Sequence, residues 1–558
     1  MLLLTLLLCL LSTCVAHKFL FYETAFGRSH VQFAGKLVDV LVENGHTVDI
    51  LMLAYNPDLT TNGTIKARRV HKIHPRDGAE SFWMKMAHFK SPFEPNKQIE
   101  SKDYFDKTLE QFCDALINDD ALMETLKNEN YDAGLTMIYE TCPFGLFHVL
   151  NIKPVMGFMA TAMPNMISRA FHLPSPPSYV LSESILCFKS NFGVFLDLLR
   201  NTGVNYRTMT FFDRLNHYIY QLQDYFFDIP KSSQVVTNVF RRKYGHGFPH
   251  LDALMAEMSM VFINSEKVTD ATRPISHKIK CIGGIQSHEA KPLTKEFLDI
   301  YNRSHYGVIL FSFGSLLKTS IVPMSIKLQF LKAFSRFHST LSSGNTMTSK
   351  KKVKSSKITQ MSIQPSGCHS TISSVSFSSS LVQPTVTQNS GHKLTIAFIT
   401  HLGQNSFLEV SNAGTPIVAV PLFADQLFNS AVALEKGLGV RIDRLNLTET
   451  SIYEALNEVI SNPTYRNNAR KISKMLRTQP FSARDIFVKN VEYLVENPEV
   501  GEHFQLPSVH MPFWQEHSLD VVGFLALSAV FVISTSLYVT WRLYTHWLVS
   551  SVKRKKCD

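Results

Sequence analysis

The sequence predicts an α/β fold of two doubly wound domains facing a cleft, followed by one membrane-spanning helix. Three observations predict it. A strand–loop–helix–strand pattern opens the chain and restarts near residue 308. The 558 residues are too many for one ordinary core and suit two domains of roughly 200–250 residues each. Residues 521–541 form an uncharged apolar run of the length that crosses a bilayer. Hydrophobic content of 45% and charged content of 18% describe a globular chain, neither disordered nor multi-spanning. The net charge of +10 is spread along the chain. It gives no nucleic-acid footprint and fits an anionic small substrate or an anionic membrane face.

Residues 1–16 are an apolar run closing on Cys14-Val15-Ala16, too short to span as a mature helix and small enough at its end for signal peptidase. KFLFY, 18–22, reads as a buried strand, and 23–29 as a loop containing Gly27. Val31, Ala34, Leu37, Val38 and Leu41 then recur at helical spacing up to Asn44-Gly45, and 47–53 is the next strand. A connector around 272–293, rich in Pro, Gly and Lys, separates the halves. In the second half, 308–313, 395–400 and 416–423 read as strands and 425–436 as a helix stopped by Gly437. Ser451 and Glu454 suggest the capping box of a further helix. Residues 341–392 break the pattern: Ser, Thr, Lys and Gln without periodicity read as a disordered insertion.

After 521–541 come Arg542, Lys553, Arg554, Lys555 and Lys556, and the excess of positive charge places this tail in the cytosol. The body is therefore expected to be lumenal, in a type I single-pass arrangement. The terminal Lys555-Lys556-Cys557-Asp558 resembles a dilysine retrieval signal of the endoplasmic reticulum and also suits electrostatic anchoring. Sequons at Asn62, Asn302 and Asn446 are candidate glycosylation sites on the lumenal side. The cysteines show neither metal nor redox spacing, and no metal site is expected.

The chemistry concentrates in FITHLGQNSFLEVSNAGTPIVAVPLFADQLFN, residues 398–429. A strand runs through a polar turn into a helix that begins with Gly403, Asn405 and Ser406. Free N–H groups and the helix dipole make that start an anion site suited to a diphosphate. His401 at the strand end can donate to a phosphate oxygen, Glu409 can accept from the two hydroxyls of a ribose, and Asp425 with Gln426 can hold a sugar's hydroxyls.

This stretch resembles the signature of the UDP-glycosyltransferase family, including the UDP-glucuronosyltransferases. So do Arg28-Ser29-His30, the Cys142 region, Ile282-Gly283-Gly284, 312–315 and the C-terminal span, leaving out only 341–392. The resemblance implies a GT-B fold of two Rossmann-like domains: acceptor-binding at 17–280, UDP-sugar-binding at 281–505. It implies that His401 and Ser315 contact the diphosphate, Glu409 the ribose, and Asp425 and Gln426 the sugar. It also implies that His30 is the base. An imidazole titrating near neutrality can take a proton from an acceptor hydroxyl as it attacks the anomeric carbon. UDP-glucuronic acid or UDP-glucose would be co-substrate, a small lipophilic molecule the acceptor, and no other cofactor is implied. Acceptor loops would lie in the first half, at 175–181 for instance, and homo- or hetero-oligomers in the membrane would be the assembled form.

Three departures qualify this. Met137 stands where the family often has the acid that orients the base; Glu140, three residues on, is the candidate substitute, although in an extended segment it would face the other way. Leu402 replaces the first Gly of His-Gly-Gly. The family's Trp-x-Pro-Gln, whose Trp stacks on uracil, is absent. Suitable codons for TLSSGNTMT, 340–348, read in a shifted frame, can encode Thr-Phe-Ile-Trp-Lys-Tyr-Asn-Asp. The same shift from Ser366 can give Trp-Met-Pro-Gln. The segment therefore reads as an out-of-frame translation, the alternative being a genuine insertion. Two function classes stand: an inverting hexosyltransferase, or a catalytically weak relative acting as a membrane-bound partner subunit. A transferase acting on a lipid within the membrane is a third.

Overall fold

The structure is a computed structural model that describes residues 16–74, 92–93, 102–176, 178–180, 209–223, 229–286, 295–303, 307–314, 322–339, 359–362, 374–377 and 394–554. The segment 1–16, expected to be a signal peptide, lies outside them except for Ala16. The chain divides at Phe504 into two compact units.

The first unit holds two sheets. Strands β1 (Lys18–Thr24), β2 (Thr47–Leu53), β3 (Arg69–Ile73), β4 (Ala133–Met137), β5 (Val155–Met159), β6 (Met260–Ile263) and β7 (Ile279–Cys281) make the first, in the order β3-β2-β1-β4-β5-β6-β7 with every pairing parallel. Parallel sheets carry their crossovers on both faces, so central strands are apolar throughout; Phe19 to Tyr22 are fully buried accordingly. The expected loop at 23–29 is shorter than its sequence suggests. Strand β1 keeps its pairing with β2 to Thr24, and helix α1 (Arg28–Glu43) starts two residues before His30. β7 falls inside the expected connector, because Val261 to Ile263 pair with it at the sheet edge.

Helices α2 (Lys102–Ile117), α3 (Cys142–Val149) and α4 (Ile229–Tyr244) build a core with the β1 and β2 side chains Tyr22 and Leu51, and with Tyr55 just beyond β2. A disulfide joins Cys113 on α2 to Cys142 at the start of α3. Nothing in the cysteine spacing singled out this pair, because the partners come together only when two helices pack.

The second sheet contains β8 (Val308–Ser312), β9 (Thr359–Ser362), β10 (Ser374–Phe377), β11 (Thr395–Thr400), β12 (Ile417–Ala419) and β13 (Gly439–Arg441), ordered β13-β12-β11-β8-β10-β9. All pairings are parallel except β10 with β9. Two strands thus fall in 341–392, where no regular structure was expected. They extend the sheet beyond β8, and a sheet edge supplies backbone partners whatever the side-chain pattern. Helices α5 (Met324–Ser339), α6 (Gln404–Ala413), α7 (Gln426–Glu435), α8 (Glu449–Ser461), α9 (Pro463–Arg477) and α10 (Ala483–Glu496) belong to the same unit. The capping box of α8 pairs Thr448 with Ser451 rather than Ser451 with Glu454; Ser451, read as the cap, is the third helical residue. Helix α10 returns to the first sheet: Phe487 packs edge-on against Phe262 at 4.9 Å, Glu492 lies 3.5 Å from buried His46, and Arg484 bonds Glu43 on α1.

The second unit, 505–558, is dominated by helix α11 (Leu519–Arg554). Within it, Leu519–Ser551 is long and apolar enough to cross a membrane, with a mean hydropathy of 2.1 over its best window and none of that window buried. The helix exceeds the expected 521–541 at its C-terminal end, where Tyr544, Trp547 and Val549 continue the apolar surface.

Candidate active site

Open parallel α/β sheets gather ligands at the carboxyl ends of their strands, and the sequence-identified residues lie at such ends in both sheets. In the first, β1 leads through Ala25 and Phe26 to Gly27, the residue preceding α1, which has extended backbone and no side-chain cap. His30 follows in the first turn, its N–H bonded to the Gly27 carbonyl at 3.1 Å. The ring is half-buried. Its Nε2 lies 2.9 Å from the Tyr139 hydroxyl, while Ser29 Oγ stands 3.5 Å from Nδ1. Burial pushes the His30 pKa down to about 4, so the imidazole is neutral at physiological pH.

Tyr139 and Glu140 leave the end of β4. A turn closed by the Tyr139 N–H on the Met137 carbonyl at 3.1 Å swings the two side chains apart. The Glu140 Oε1 accepts from the hydroxyls of Tyr22 at 2.9 Å and Tyr55 at 3.1 Å, and its Oε2 is buried without a partner. Burial raises its pKa to about 7, against the pull of the two tyrosine donors. Glu140 is therefore not the substitute for the acid missing at Met137. Its hydrogen bonds go to the interior, and His30 finds Tyr139 instead. Met137 itself is fully buried in β4.

In the second sheet, β11 delivers His401, Leu402 and Gly403 to the start of α6. The His401 ring is wedged between two glycines: a Cβ on Gly314 would lie 2.5 Å from its Nε2, and one on Gly403 2.8 Å. Gly314, with φ of +74°, suits the position on both counts. Burial lowers the His401 pKa to about 4, a backbone hydrogen bond to Ser312 opposing it, and its Nδ1 is buried without a partner. Ser315 lies outside the described residues.

Asp425 Oδ2 accepts from the Gln404 N–H at 3.0 Å and from Asn429 Nδ2 at 3.0 Å, so it caps α6 from the neighbouring loop. Burial lifts its pKa to about 6. The N–H groups of Asn405 and Ser406 have no internal acceptor among the described residues. That pair, on the positive end of the helix, has the chemistry of an anion site. Gln426 Oε1 is used internally by the N–H groups of Leu422 and Phe423, and Glu409 is half-buried one turn into α6.

Tyr139 and Asn264, both unmarked in the sequence, complete the arrangement. Asn264, just past β6 in the first sheet, donates to Asn405 Oδ1 at 2.9 Å and accepts from Gln404 Nε2 at 2.6 Å on its carbonyl. The α6 N-terminus is thus tied to the first sheet, and Asn405 meets protein as well as any ligand. Only proximity in the fold reveals Asn264, since nothing in its local sequence sets it apart.

Of the sequons, Asn302 and Asn446 are exposed, whereas Asn62 is half-buried with its carbonyl oxygen enclosed and unpartnered.

A solved glycosyltransferase, described as that of kitacinnamycin, superposes with a TM-score of 0.50 at 15% identity, over 86% of this chain and 98% of that one. The two-sheet body is therefore the GT-B fold. UDP-glucuronosyltransferase 1A7 of Mus musculus is 26% identical over 89% of this chain and 87% of its own length. UDP-glucuronosyltransferase 1A8 of Rattus norvegicus is 29% identical over 77% and 74%. The family model described as UDP-glucoronosyl and UDP-glucosyl transferase matches residues 19–324 and 375–556, both sheet ends included. With His30 at one sheet end and the open helix start beside His401 at the other, the chain belongs to the UDP-glucuronosyl and UDP-glucosyl transferase family.

Proposed function

We propose that this chain transfers glucuronic acid or another hexose from its UDP-sugar to a small lipophilic acceptor, inverting the anomeric centre. The observation that carries the reading is the start of α6, where two unpaired N–H groups stand beside His401 in a chain of this family. A diphosphate fits that electrostatic environment. The role of Ser315 is carried by the resemblance alone. Glu409 would take the ribose. The Nε2 of Gln426, which has no internal partner among the described residues, would take a sugar hydroxyl, with Asp425 holding the loop that aims it. His30 would accept the acceptor's proton. Turnover of UDP-glucuronic acid or UDP-glucose with a phenol panel, lost at least about a hundredfold in His30→Ala with UDP affinity retained, is the expected result. Full activity in that variant would refute the assignment.

Membrane attachment through α11, a lumenal body in the endoplasmic reticulum and glycans at Asn302 and Asn446 complete the proposal. Supporting it are the apolar helix, the exposed sequons and the Cys113–Cys142 disulfide, a bond favoured in oxidising compartments. A second reading, a partner subunit of weak activity, is favoured by Met137 and by the direction Glu140 takes; absence of any UDP affinity would select it. The family match lapses between 324 and 375, the stretch expected to carry the uracil platform. This lapse agrees with an out-of-frame segment, and a cloned transcript encoding Ser366-Gly367-Cys368 in frame would end that idea.

A further inference from the structure

A general base of the His type needs one ring nitrogen held and the other presented to the proton it takes. The structure gives His30 an asymmetric pair of partners. Tyr139 Oη sits 2.9 Å from Nε2, with the two rings edge to face at 5.2 Å. The Ser29 hydroxyl is 3.5 Å from Nδ1, at the outer limit of a hydrogen bond. Among the described residues no carboxylate bonds the ring: Met137 is fully buried in β4 and Glu140 is bonded to Tyr22 and Tyr55. Tyr139 reaches the ring because the turn on the Met137 carbonyl sends it there as it sends Glu140 away. Phe26, 5.7 Å from the Tyr139 ring and edge-on to it, packs against the same tyrosine.

We propose that Tyr139 is the positioning residue for His30, holding Nε2 so that Nδ1 takes the proton, and that a base held in this way selects acceptors with acidic hydroxyls, phenols above aliphatic alcohols. The inference rests on the reading of His30 as the base. In the transfer, the acceptor O–H bond breaks and its proton goes to Nδ1. The acceptor oxygen bonds the anomeric carbon, and the bond from that carbon to the diphosphate oxygen breaks, with its electron pair leaving on UDP. The imidazolium then donates from Nε2 to the oxygen of a neutral tyrosine. A hydroxyl oxygen stabilises that charge less than a carboxylate would, so the base draws a proton less strongly. A phenol, with a pKa near about 10, gives up its proton readily enough for such a base. An aliphatic alcohol, several units less acidic, does not, and Brønsted behaviour turns that gap into rate.

The test uses the full-length membrane protein, saturating UDP-glucuronic acid or UDP-glucose, and two acceptor series, substituted phenols and aliphatic alcohols of matched size. The wild type is expected to turn over phenols on the order of a hundredfold faster than alcohols. Tyr139→Phe, which removes one oxygen and keeps the ring, is expected to lower kcat on phenols about ten- to a hundredfold with the donor KM and the melting temperature unchanged. A merely structural role would shift the melting temperature or both KM values instead. Equal rates on the two series, or an unaltered kcat in Tyr139→Phe while His30→Ala is dead, overturns the proposal and leaves the base assignment standing. Full activity in His30→Ala overturns the base assignment, and this inference with it.

Discussion

Leu402 has a left-handed backbone, φ of +61°, and a fully buried side chain, two demands that point to different residues. The backbone asks for glycine, at a cost of roughly 1–2 kcal/mol for any L-residue. The interior, where Leu402 packs in one cluster with Phe407 and Phe428, asks for a leucine worth about 2–5 kcal/mol against truncation. Packing outweighs backbone strain, so Leu402→Gly should lower stability by roughly 1–3 kcal/mol, read as a fall in melting temperature. A rise would mean that the strain outweighs the packing. The exception to His-Gly-Gly was visible in the sequence, but its compensation was not, because burial belongs to the fold. Glu140 poses the opposite case. Its carboxyl, raised to about 7 by burial, binds a proton more tightly folded than unfolded. Its stabilising share is therefore complete below about pH 4.5, the ordinary value for a glutamate, and disappears as pH rises through 7. The stability of Glu140→Gln relative to wild type should thus increase from about pH 5 to about pH 8. A difference independent of pH would show that the carboxyl titrates normally.

At the level of elements, the strands at 47–53 and 395–400 and the helix ending at Asn44 were legible as written, because buried parallel strands and a helix stop are local signals. That the candidate residues His401, Gly403 and Asn405 share one strand-to-helix turn was legible for the same reason. Asp425 was read as a candidate sugar-binding residue, and its capping of α6, a contact across 21 positions, was not legible. Tyr139, Asn264 and the Cys113–Cys142 bond had no local signature, each depending on two elements meeting. That disulfide pins α2 to the helix that follows the Tyr139–Glu140 turn. Closing a loop of 29 positions is worth about 2–4 kcal/mol in such cases. Replacing both cysteines by Ala should therefore lower the melting temperature, and a reductant should do the same to the wild type alone. An equal effect of reductant on both would place its action elsewhere.

The whole molecule is two units joined at Phe504, and the apolar surface of Leu519–Ser551 belongs to the second. A chain ending at Phe504 should keep its melting temperature and pass to the aqueous phase in a detergent cloud-point separation, where the full chain enters the detergent phase. Retention of the truncated chain in the detergent phase would reveal a second membrane-binding surface in the first unit. The return of α10 to the first sheet bears also on how the protein is made. Between β7 and α10 lie about 200 residues, which a ribosome adds in on the order of 10–40 s at about 5–20 residues per second. Throughout that interval the face formed by Phe262 and His46 has emerged without the helix that covers it. The first sheet therefore waits, half-finished, on the last long helix before the apolar segment, and a chain released early would show that bare face to the folding machinery as its mark of incompleteness.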